Sequence, residues 1–120
     1  MGLYAPSQGN RTKSGKTLST DTTTLVRVPA GNAAQRATVE SIHVACGNSN
    51  TALSIWWVDK NGTETFLLSG GVVAANNIFQ ITDLHLPLEG GESLKADAAA
   101  PDLLDVTVVF LQHTPQQAQK

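Results

Sequence analysis

The stretch Ala52-Leu53-Ser54-Ile55-Trp56-Trp57-Val58-Asp59-Lys60-Asn61-Gly62-Thr63 decides the fold class. Its first seven residues alternate, with Leu53, Ile55 and Trp57 on one face and Trp56 and Val58 on the other, the two-residue period of a β-strand. Asp59-Lys60-Asn61-Gly62 then supplies the strongest hairpin signal in the chain, because Asn-Gly readily takes the positive φ that tight hairpins need. A second strand is expected over Thr63-Leu68.

Working outward, the same grammar repeats. Thr24 to Val28 reads as a strand ended by Pro29-Ala30-Gly31-Asn32, and Arg36 to Cys46 as a longer one ended by Gly47-Asn48-Ser49-Asn50. The apolar phase slips between Val39 and Ile42, which predicts a bulge near Glu40-Ser41. Gly70-Gly71 and Asn76-Asn77 bracket a short apolar stretch and are read as turns. Ile78 to Thr82, Leu84 to Leu88 and Glu92 to Ala96 read as short strands, with a turn at Glu89-Gly90-Gly91. The last strand, Leu104 to Leu111, is apolar on both faces: Val106, Val108 and Phe110 alternate with Thr107, Val109 and Leu111. Such a strand suits the middle of a sheet, one face in the core and the other covered by a partner.

These runs predict an all-β chain: an antiparallel β-sandwich, jelly-roll-like, of seven to eight short strands. The 120 residues suffice for one domain. The expected organisation is an extended polar N-terminal arm over 1–24, the sandwich over 25–112 and a polar tail over 113–120.

The arm is rich in Ser, Thr, Gly and Asn, and its charges before Asp21 are all basic: Arg11, Lys13 and Lys16. Ordering backbone costs roughly 1–2 kcal/mol per residue, and this segment has little apolar surface to offset that. A neighbouring subunit is the natural holder, with Leu3, Tyr4 and Leu18 as apolar anchors and the basic trio facing acidic groups. A leader with no holder is the alternative.

A net charge of -2 and a charged fraction of 15% provide no field for nucleic acid or an acidic membrane. The N-terminus shows neither a secretory pattern nor an apolar run able to span a bilayer, and Gly2 lacks other support for acylation. The single cysteine, Cys46, falls in phase with Ile42 and Val44 and reads as a buried, inert thiol.

Catalytic patterns are missing. His43, His85 and His113 are isolated, without zinc spacing. No serine has a nucleophile-elbow context. Asp97, Asp102 and Asp105 lack calcium-loop spacing and read as a solvated loop face. Neither Gly pair opens a phosphate loop. No cofactor and no metal are expected. The adjacent tryptophans place one ring in the core and the other on the outer face, where the arm, another subunit, a ligand or a loop of the same domain must cover it. A large buried aromatic contributes on the order of 2–3 kcal/mol.

Several segments, Val28-Pro29-Ala30-Gly31, Val39 to Cys46, Leu53 to Asp59, Leu88 to Leu94 and Asp105-Val106-Thr107-Val108, resemble small β-sandwich structural proteins of tailed bacteriophage virions. The resemblance covers Val26 to Leu111 and rests on turn and core motifs. It implies a non-enzymatic virion component, assembled in the host cytoplasm and present in many copies. The expected role is a capsid decoration or cement protein, homo-oligomeric, whose arm grips the major capsid protein or other subunits. A tail, neck or fibre-associated component is the alternative. The resemblance supplies no functional residues. From the sequence itself the expected partner interface comprises Leu3, Tyr4, Arg11, Lys13, Lys16, Leu18, Trp56, Val109 and Leu111. A carbohydrate-binding module, with Trp56 or Trp57 as a stacking platform, is the competing class.

Overall fold

The computed structural model describes residues 9–31 and 35–113. Among these are nine strands: β1 (Gly9–Thr17), β2 (Thr23–Arg27), β3 (Arg36–Cys46), β4 (Thr51–Val58), β5 (Glu64–Val73), β6 (Ile78–Ile81), β7 (Leu86–Leu88), β8 (Ser93–Ala98) and β9 (Leu104–His113). One sheet has the order β1-β9-β3-β6, with β7 also on β3; the other runs β2-β8-β4-β5. All pairings are antiparallel.

Counting β6 and β7 as one interrupted strand, the first strand pairs with the last, the second with the second-last, the third with the sixth and the fourth with the fifth. This nesting is a long hairpin folded over itself, a jelly roll. The two inner faces meet in one core, built by Val39, Ile42, Val44, Val106 and Val108 on one side and Leu53, Ile55, Leu94 and Ala96 on the other.

The principal correction concerns the N-terminal segment. Gly9–Thr17 is no arm outside the sandwich but its first strand, paired along its whole length with β9, from Gly9 opposite His113 to Thr17 opposite Asp105. An edge strand needs only main-chain hydrogen bonds on one side, so seven polar residues and two glycines form it without apolar alternation. Leu18 follows, fully buried in the core, its N–H donating to the Leu104 carbonyl at 2.8 Å. Its expected place at a partner surface is therefore also corrected: the chain's own core claims the side chain. At the other boundary, β9 runs on through His113.

Local details follow the residues. The register of β3 on β9 shifts between Val39 and Ser41, at the phase slip in the sequence. At the β4–β5 hairpin the Gly62 N–H donates to the Asp59 carbonyl at 3.0 Å, and Asp59 Oδ1 accepts the N–H groups of Asn61 and Thr63. Gly62 takes positive φ, at 89°, and Asn61 does not. Gly70-Gly71, expected as a turn, instead lies inside β5. There Gly70, at φ 66°, donates its N–H to Ser54 Oγ at 2.9 Å, and the β4–β5 register slips nearby. The glycines make a bulge rather than a reversal.

Candidate functional site

With the core filled, what distinguishes this chain is its surface, beginning with the outer face of the β1-β9-β3 sheet. The register sets Arg11 opposite Leu111 and Lys13 opposite Val109 on one side of β9, and Thr38 opposite Leu111 and Ser41 opposite Val109 on the other. Val109 and Leu111 are only half-covered, flanked by the two basic residues. Aliphatic stems of Lys and Arg shade neighbouring apolar groups while keeping their charge in water.

Arg11 forms a forked pair with Glu40, Nε to Oε1 at 2.9 Å and Nη2 to Oε2 at 3.3 Å. The hydrogen bond from Arg11 holds the Glu40 carboxyl below its usual range, and the carboxylate in turn raises the guanidinium. At the far end of β1, Thr17 Oγ1 donates to Asp105 Oδ1 at 2.7 Å. These contacts tie β1 to the rest of its sheet.

The basic trio is thereby split. Lys16 lies opposite Val106, on the inward phase, yet is exposed on the edge strand. Arg11, Lys13, Val109 and Leu111 share one face; Lys16 and Leu18 do not join it. Leu3 and Tyr4 lie outside the described residues.

Trp56 projects from the outer face of the opposite sheet, between Lys95 and Phe66 in the cross-strand register. It is only 5% exposed and outside the main core cluster, tilted against the Phe66 ring at 5.3 Å between centroids. Its Nε1 is buried without a hydrogen-bond partner. Both expectations for Trp56, as partner contact and as saccharide platform, are corrected: its own domain covers it. Trp57 packs half-buried on the core. Among the described residues the exposed large apolar groups are Phe66 at 49%, Val72 at 69% and Ile78 at 65%. Apolar patterning gives little sign of them: Val72 follows the Gly70-Gly71 bulge and Ile78 the Asn76-Asn77 turn, both on edge strands.

A cleft of about 170 Å³ opens between the two sheets along the β1 and β2 edges, at the end where β9 finishes. Its lining mixes apolar groups, Leu25, Val28, Ala37 and Phe110 among them, with the polar and charged Ser14, Arg27, Gln35, Arg36, Gln112 and His113. The sequence explains the opening. The inward phase of β1 carries Thr12, Ser14 and Lys16, and the one of them that lines the cleft, Ser14, offers no apolar group to close it.

Catalytic chemistry finds little to work with here. Ser41 Oγ and His43 Nε2 share a hydrogen bond of 3.0 Å on the outer sheet face, with no carboxylate hydrogen-bonded to His43 among the described residues. No group of three or more His, Cys, Asp or Glu among the described residues could hold a metal ion. Cys46 is buried, its thiol directed to the Ser49 carbonyl at 3.1 Å.

No protein-family model matches the chain, and no curated protein sequence matches it. Solved structures do. A subunit of the disulfide-linked pili of Bacillus endospore appendages aligns at a TM-score of 0.54 and 12% identity, over 96% of this chain and 97% of that one. The capsid asymmetric unit of cyanophage Pam1 aligns at 0.46 and 15% identity, over 96% and 91%. Infectious bursal disease virus, Gt strain, aligns at 0.37 and 11% identity, with only 33% of that chain covered. At these identities the similarity is one of fold, and the pilus subunit carries it: the chain is a jelly roll with no inserted domain among its described residues.

Proposed function

We propose that this chain is a non-enzymatic structural subunit of a virion, repeated in many copies, and within that class a capsid decoration or cement protein that grips neighbouring subunits. The observation that carries the reading is the outer face of β9. Val109 and Leu111 stand half-covered on a central strand, with no further layer over them among the described residues, beside Arg11 and Lys13. Apolar groups on an open sheet face, rimmed by charge, are the composition of a protein–protein contact. Support of a second kind comes from the fold, shared over nearly the whole chain with a subunit that assembles into pili. Those pili are described as disulfide-linked, whereas this chain's single cysteine is buried. Its contacts between copies are therefore non-covalent in this reading.

The test is sedimentation of the full chain across a wide concentration range, alongside Val109→Glu. The wild type is expected to form a discrete oligomer. The variant, with a carboxylate on the apolar strip, is expected to stay monomeric with an unchanged circular dichroism spectrum. Antibody labelling of intact particles then tests the virion placement. A wild type that remains monomeric throughout and labels no particle overturns the proposal.

A further inference from the structure

We infer that the open edge of β1 takes an extended, acidic segment of a different protein, added to the sheet as a further strand. This rests on the subunit reading above and names the chemistry of the partner. β1 pairs with β9 over its nine residues without a register break, and no strand lies on its other side among the described residues. Leu18, just past its end, turns its N–H and C=O toward the β9 side, to Leu104 and Asp102. Main-chain direction alternates along an antiparallel strand. Thr12, Ser14 and Lys16 therefore bond β9, while the N–H and C=O groups of Arg11, Lys13, Gly15 and Thr17 point out from the open edge. Such a regular row is the template for strand addition. The edges of β5 and β2 are each interrupted by a register shift.

Charge selects the occupant. Lys13 lies on the outer side of this edge and Lys16 on the inner, both exposed, and neither has an ion pair among the described residues. The carboxylates that β1 touches in its own sheet are engaged, Glu40 by Arg11 and Asp105 by Thr17. Behind the edge, the cleft toward β2 adds Arg27 and Arg36, and no carboxylate lines it among the described residues. An incoming strand alternates its side chains between these two sides, so carboxylates on both of its faces meet cations. Lysines on an edge repel a basic strand; facing an acidic one they select it. A second copy has no such strand to give: β2, β5, β6 and β7 hold one carboxylate between them, Glu64, and β1 itself is basic. Residues 1–8 and 114–120 contain no Asp or Glu. A nucleic acid would meet the same cations, but its phosphates accept without donating and leave the outward carbonyls unmatched.

The experiment offers the full chain a labelled nine-residue peptide of Thr and Val with four glutamates, two on each face, followed by fluorescence anisotropy. The peptide is expected to bind, and its lysine counterpart to bind at least tenfold more weakly. Lys13→Glu combined with Lys16→Glu is expected to reverse that preference. Gly15→Pro removes one outward N–H at a site where an added Cβ meets only the Val106 carbonyl, at 3.9 Å, and proline is tolerated on an edge strand; it is expected to abolish capture. Hydrogen exchange on the wild type serves if that variant misfolds: the amides of Arg11, Lys13, Gly15 and Thr17 are expected to gain protection with the peptide, and those of Thr12, Ser14 and Lys16 to change little. No capture overturns the inference, and so does capture without that alternation, which is attraction of charge alone. A single-stranded oligonucleotide that binds this edge and displaces the peptide assigns it to nucleic acid and overturns the protein occupant. The sedimentation of Val109→Glu is independent of all these outcomes, so the subunit reading stands or falls separately.

Discussion

Replacing Leu18 with Ala separates a polar leader from a structural strand. Leu18 is fully buried, and none of residues 10–17 before it is. Its N–H donates to the Leu104 carbonyl at 2.8 Å, and its own carbonyl accepts the Asp102 N–H at 3.2 Å. Truncating a fully enclosed leucine costs about 2–5 kcal/mol, the lost transfer energy plus the cavity left behind. Against a typical total of about 5–15 kcal/mol this is a large share. For a domain of this size about 3 kcal/mol lowers Tm by roughly 12–24 °C. Urea unfolding followed by tryptophan fluorescence measures the loss, and hydrogen exchange locates it. The β1 amides paired with β9 are expected to lose protection first, since Leu18 is their anchor and water readily replaces an edge ladder. Lys16→Ala, at an exposed position of the same strand, serves as control and is expected within about 0.5 kcal/mol of wild type. A Leu18→Ala loss below about 0.5 kcal/mol would refute the reasoning, because only a solvated leader tolerates the change so cheaply.

Two further outcomes follow from the outer faces. Trp56→Ala is expected to cost about 3–5 kcal/mol by emptying the space beneath Phe66, whereas Trp56→Phe, which also removes the unpartnered indole N–H, is expected to cost less than about 1.5 kcal/mol; calorimetry of both checks the difference. The Glu40 carboxyl is held low by Arg11, so its contribution is present above the unfolded pKa and is lost as pH falls through the folded one, in the acid limb below the usual carboxylate range. NMR titration of Arg11→Gln is expected to show the Glu40 carboxyl moving up toward its ordinary value.

How far the sequence shows this molecule depends on which force builds each part. Wherever burial dictates alternation, the reading and the structure agree: β3 with its slip at Glu40, β4 with Leu53 and Ile55 inward, and β9 as a central strand. The hairpin at Asp59 to Gly62 is legible because turn chemistry is local. Gly70-Gly71 misleads because a glycine pair suits a bulge as well as a turn, and only the partner strand decides between them. β1 is invisible to apolar periodicity for a deeper reason. Its place is set by the topology, in which an apolar last strand needs a neighbour on each side, and its stability comes from main-chain bonds and one residue, Leu18, beyond its end. The same polarity that hides β1 leaves the sandwich open along that edge. The cleft at Ser14 and the half-covered Val109 and Leu111 are thus two consequences of one feature, a first strand with no apolar side chain to contribute to either face.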